Sequence, residues 1–163
     1  MIALAFSIAV SLATGALALG YAVRESWPGV ALIGALGFAW IAARRRRDWT
    51  PTLGLLVFTA VAAFGTWRGA PAVWMLAGIV AALAAWDLDH FGRRLRGTPV
   101  EGEVALARAH LRRLLLVSSA GLLVGWFALG IRVELGFSAA LALGLLVVVA
   151  LSRAIGLLRR EAE

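Results

Sequence analysis

Cysteine, lysine, asparagine and glutamine are all absent from this chain. Without cysteine there is no disulfide framework, no thiolate chemistry and no cysteine-ligated metal. Without lysine, all 16 basic residues are arginine. The lack of lysine and asparagine fits a GC-rich coding sequence, which favours Arg, Ala and Gly codons. Histidine occurs twice, and neither residue stands at metal-ligand spacing from an acid. The sequence has no nucleotide-binding loop, nucleophile motif or HExxH run, so no residues are left to carry catalysis. The expectation is a protein that is not an enzyme and has no cofactor.

What remains is overwhelmingly apolar. The 163 residues are 62% hydrophobic, with a mean hydropathy of +0.90. Soluble domains run at roughly 45–50% apolar, and a water-soluble fold of this size could not cover so much apolar surface. The few charges sit in short blocks between long apolar runs, as expected when water touches only the connections.

The runs predict an all-α membrane helix bundle, a single domain over 1–163 with about six spans near 1–23, 27–43, 51–67, 71–91, 114–129 and 137–158. The first run has no positive n-region and is longer than the apolar core of a leader, so it reads as a retained span despite Ala16-Leu17-Ala18. Pro28 suits the first turn of span two, where an N–H would lack a partner anyway. Thr50-Pro51 reads as an N-cap followed by proline at the first helical position of span three. Gly92 reads as a left-handed stop for span four. Thr98-Pro99-Val100-Glu101 has the form of a capping box. It opens a cytoplasmic helix over about 99–113 that continues without a break into span five.

Arginine counts set the orientation. One side has Arg24, Arg68 and Arg132, each just past an odd span. The other has Arg44 to Arg47, Arg93, Arg94, Arg96, Arg108, Arg112, Arg113, Arg159 and Arg160. Three against twelve places the second set, and both chain ends, in the cytoplasm, so the chain is expected as a multi-pass protein of the cell membrane. Trp27, Trp67 and Trp74 then fall at the outer interface, and Trp40, Trp49 and Trp86 at the inner one, as an aromatic belt requires. His90 and His110 lie on one side, which excludes a haem held between them across the bilayer. The recurring single Arg past each odd span also has the look of a threefold repeat of hairpins, although topology rules alone would produce it.

Three sets of residues are candidates for function. Asp87 and His90 lie three apart near the inner end of span four, and with Arg153 of span six, or with His110, they form a candidate polar cluster for an ion, a proton or an anionic headgroup. The bland alternative is that they end the span while Arg153 snorkels. Asp89 and Arg93 read as an exposed ion pair of modest value. Ser7, Ser11, Thr14 and Tyr21 collect on one stripe of span one, which either lines a polar path or packs inside the bundle. Ala31, Ala35, Ala39 and Ala43, then Ala77, Ala81 and Ala85, and Gly121 with Gly125, form small-residue faces for helix packing.

The preferred functional expectation is a scaffold or accessory subunit of a membrane complex, because no charged residue is expected at mid-bilayer, where ion and substrate paths place one. The alternative is a small oligomeric transporter or channel for an ion or small solute. Expected partners are the bilayer, with anionic headgroups at the cytoplasmic Arg loops, and other membrane subunits or further copies of the chain. Nucleic acid is not expected, since the Arg are not interleaved with exposed aromatics. The cysteine-free background makes the sidedness directly measurable. A single cysteine placed beside Arg44 or Arg96 should escape an impermeant maleimide added to intact cells and react once the membrane is opened; labelling from outside would reverse the orientation.

Overall fold

The structure, a computed structural model, describes residues 2–43, 49–96 and 103–130. Within them the chain is all-helical, with α1 (Ile2–Ala22), α2 (Trp27–Ala43), α3 (Thr50–Trp67), α4 (Ala72–Arg96) and α5 (Glu103–Gly130). Four of these, α1, α3, α4 and α5, are long and apolar enough to cross a membrane, while α2 is a shorter apolar helix of 17 residues. The expected sixth span with Arg153, the Arg132 loop, the Arg44 to Arg47 block and the Thr98 capping box lie outside the described residues.

α1 shares the centre of the bundle with α4. Its buried residues, Phe6, Ala9, Val10, Ala13, Leu17, Gly20 and Tyr21, recur every three or four positions and so form one continuous stripe. Its most extensive neighbour is α4, followed by α2, and α4 in turn packs on α3 and α5. The α1–α4 seam is built from reciprocal notches. Leu17 of α1 fills the space over Gly78, where a Cβ would stand 2.6 Å from the Leu17 side chain and 3.5 Å from the Ala13 carbonyl. Met75 of α4 fills the space over Gly20 in the same way. Close backbone approach of this kind is the main attraction between helices in an apolar solvent, where burial itself gains little.

The neighbouring helices join by the same device. Thr14 of α1 sits in the notch at Gly37 of α2. Tyr21 lies against Gly29 of α2 and Gly65 of α3, and its hydroxyl donates to the Val61 carbonyl of α3 at 2.8 Å. At the opposite end of α2, Trp40 packs edge-on to Phe6 at 6.1 Å between centroids, tilts against Phe58 at 5.0 Å and covers Gly54.

Two turns share one design. Helix α1 closes with Ser26 N–H on the Tyr21 carbonyl and Glu25 N–H on that of Ala22, and α3 closes with Ala70 N–H on Gly65 and Gly69 N–H on Thr66. Both are Schellman motifs with an Arg, Arg24 or Arg68, as the last residue before the left-handed position. That position is Gly69 (φ 79°) in one and Glu25 (φ 55°) in the other. Glycine takes this conformation freely, whereas a glutamate carries a steric cost there. Proline then stands at the start of the following helix in both, as Pro28 and Pro71.

Several local expectations give way. Thr50 is not the N-cap of α3: Trp49 holds that place with near-helical dihedrals (φ −86°, ψ −10°), its carbonyl accepts from Leu53, and no side chain caps the end. Gly92 does not stop α4, which runs through it to Arg96; the glycine is buried in the helix interior. Trp40 is core and not belt, at 4% exposure. Of the expected α2 ladder, Ala31 and Ala35 face away from the bundle, because the helix turns Ile33, Gly37 and Trp40 inward, while Ala39 and Ala43 border a groove against α3.

The notch at Gly78 should be intolerant of size. Gly78→Leu is expected to lower stability by about 1–3 kcal/mol through overpacking, read as an earlier unfolding midpoint in mixed micelles. The same substitution at Gly34, where an added Cβ meets nothing within 4 Å, should be neutral or mildly stabilising because leucine is the better helix former.

Candidate functional site

Asp87, Asp89, His90 and Arg93 gather at one end of α4, with His110 and Arg113 on the facing end of α5. At 3.6 residues per turn, Asp87 and Asp89 point about 200° apart on α4, and this separates their roles. Asp89 continues the inward stripe of Met75, Gly78, Ala82, Ala85 and Leu88, and is fully buried. It accepts a hydrogen bond from Arg93 Nε at 2.7 Å. The pair expected at the surface is thus an internal one, with the carboxylate desolvated and its charge balanced one turn along the same helix. The small residues spaced three and four apart before Asp89 are the signal that marks this face as buried.

Asp87 faces α5. Its Oδ2 lies 2.8 Å from Nε2 of His110, and its side chain keeps 41% exposure. The His110 ring stacks flat on Phe91, with centroids 3.9 Å apart and planes 6° from parallel. Asp87 and Phe91, four apart, therefore hold one imidazole between them. The stacking fixes the ring so that Nε2, although close to the carboxylate, is buried without a well-oriented hydrogen bond. His90 is exposed instead and stacks on Trp86, at 5.3 Å and 20°. Asp87 and His90 are thus not brought together, and Arg153 lies outside the described residues.

On α5, His110, Leu114, Val117, Ser118 and Gly121 share the face toward α4 because they recur at three- and four-residue steps. Between the two helices they leave a cleft of about 560 Å³, with Asp87, His110 and Arg113 at one end and Val80, Leu83, Val117 and Gly121 further in. A second cleft of about 360 Å³ lies between α1, α4 and α5 and is lined by Ala77, Ala81 and Ser118 among others. The intended packing face of α4 is accordingly divided: Ala85 is buried in the bundle, while Ala77 and Ala81 border this second cleft. Gly125 receives Leu76, whereas a Cβ on Gly121 would meet nothing within 4 Å.

Two of the span-one hydroxyls turn back on their own helix. Ser7 donates to the Ala3 carbonyl at 3.1 Å and Thr14 to that of Val10 at 2.8 Å. Ser11 faces outward, and Tyr21 is committed to Val61. Among the described residues, no three His, Asp or Glu side chains come together where a metal ion could be held. Phe91, Arg113 and Ser118 were not singled out from the sequence, although the repeat of positions 110, 114, 118 and 121 marks the α5 face on which Ser118 lies.

No known protein family, curated protein or solved structure matches the chain.

The two aspartates should differ in weight. Asp89→Ala removes a fully buried carboxylate from the partly exposed Arg93 guanidinium and is expected to cost about 2–3 kcal/mol. Asp87→Ala, at a half-open site, should cost less than about 1 kcal/mol. Denaturation midpoints of the purified protein in detergent test the order, and equal losses would mean that Asp89 is not the buried partner.

Proposed function

We propose that this chain is a six-span protein of the cell membrane, with both ends in the cytoplasm, that acts as a non-enzymatic scaffold or accessory subunit. The observation that carries the reading is the state of α5. This helix has 28 residues, and Ala107 is its one buried residue among those described. Leu115, Leu116, Val117, Leu123, Val124, Trp126 and Phe127 are all more than half exposed. At about 1.5 Å per residue the helix is about 42 Å long, some 12 Å more than a hydrocarbon core of about 30 Å. One rigid element therefore offers an apolar face within the membrane and Arg108 and Arg112 beyond it, a combination suited to holding another membrane subunit. The arrangement of the hydroxyls supports the same reading, since the Ser7 and Thr14 hydroxyls donate to carbonyls of their own helix.

The competing reading, a small transporter or channel, makes Asp87 and Arg153 essential. Single cysteines at Leu116, Leu123 and Trp126 should yield one discrete cross-linked species in native membranes, and that yield should survive Asp87→Ala and Arg153→Ala. Reconstituted wild-type protein should leave vesicles tight to protons, as followed with a trapped pH dye. A proton flux that either substitution abolished would end the scaffold reading.

A further inference from the structure

We propose that the cleft between α4 and α5 is a binding site for one phospholipid with a primary-amine, zwitterionic headgroup, seated in the leaflet at the Asp87 end. The inference rests on the membrane embedding of α4 and α5 argued above, and not on the scaffold role.

The cleft is amphipathic along its length. Its mouth holds a carboxylate, Asp87, and a guanidinium, Arg113, and its walls are then apolar. From His110 to Gly121 helix α5 advances about 16 Å, close to half of a hydrocarbon core of about 30 Å. The cleft thus has the depth of a single leaflet, and its charged end falls where that leaflet carries its headgroups. Its volume of about 560 Å³ is in the range of small-molecule sites, roughly 300–1,000 Å³.

The polar groups match one headgroup chemistry. Arg113 is exposed and makes no ion pair among the described residues, so its fork is available to a phosphate. Asp87 keeps one oxygen beyond its contact with His110, placed to accept from an ammonium. Ser118, one to two turns deeper, is half-buried, and its hydroxyl has no partner among the described residues, which suits an ester carbonyl below the phosphate. A carboxylate beside the phosphate position works against a purely anionic headgroup, and a quaternary ammonium has no N–H to donate to it. Gly121 leaves the inner part open for an acyl chain, since a Cβ there would touch nothing.

The test is native mass spectrometry of the detergent-purified full chain, titrated with phosphatidylethanolamine, phosphatidylglycerol and phosphatidylcholine of identical acyl chains. Phosphatidylethanolamine should bind about tenfold more tightly than either of the others, the size of one charge-assisted hydrogen bond. Asp87→Asn should erase that preference, and Arg113→Gln should weaken all three lipids. Gly121→Leu places a side chain in open space, so its unfolding midpoint should hold while all three lipids lose affinity. Phosphatidylglycerol binding as tightly as phosphatidylethanolamine, or Gly121→Leu binding like wild type, would overturn the proposal. Release of the chain from membranes by alkaline carbonate would instead remove the embedding, and this site with it.

Discussion

The bundle depends on how closely α1 and α4 approach. Two glycines, Gly20 and Gly78, let Met75 and Leu17 seat against the opposing backbone. In water such a seam would be secondary to the burial of apolar area. Between helices that are apolar on all sides it is the main source of attraction, because lipid tails are as apolar as leucine and only denser packing distinguishes a helix from the surrounding chains. The notches also fix rotation. Once Leu17 lies over Gly78, Thr14 and Tyr21 can point only where Gly37 of α2 and Gly65 of α3 receive them, and the Tyr21 hydroxyl finds the Val61 carbonyl. The remaining contacts of α1 follow from that single register.

The same register explains the buried charge. Asp89 lies on the stripe that α4 must turn inward to present Gly78, Ala82 and Ala85, so the seam cannot form without carrying a carboxylate into the bundle. Arg93, one turn later, keeps the charge tolerable at 2.7 Å. Asp87, two residues earlier, is released to the opposite side and meets His110. The C-terminal end of α4 thus serves the core on one face and α5 on the other, and the polar cluster is a product of helical geometry as much as of residue choice.

What the sequence revealed follows from which constraints are local. Arg24 and Arg68 with the nearby prolines mark the two turns, because capping and the membrane's exclusion of charge act within a few residues. Thus α2 runs over the expected Trp27–Ala43 and α1 ends one residue from its expected stop. The apolar runs likewise indicated an all-helical fold with helices long enough to cross a membrane. The pairing of small residues was not legible. Chance alanine ladders such as Ala31 and Ala35 resemble working notches such as Gly37, and only the rotation imposed by the neighbour separates them. Trp40 fails for the same reason: its distance from the helix end fits an interface anchor, yet its angular position puts it against Phe6 and Phe58. For the polar cluster, helical spacing put Asp87 and His90 on one face, but Trp86 drew His90 to itself and left His110 as the partner of Asp87.

The position of the ionisable groups bears on what the molecule can do. A path for ions through apolar surroundings needs polar groups in relay, since each unsatisfied step costs several kcal/mol. Here Asp87, Asp89, His110 and Arg113 all lie at one end, and the Ser7 and Thr14 hydroxyls of α1 donate to backbone carbonyls of their own helix. The α4–α5 cleft loses its polarity within about half the depth of a bilayer. The cleft thus has one charged end, at Asp87 and Arg113, and one apolar end, at Val80 and Gly121.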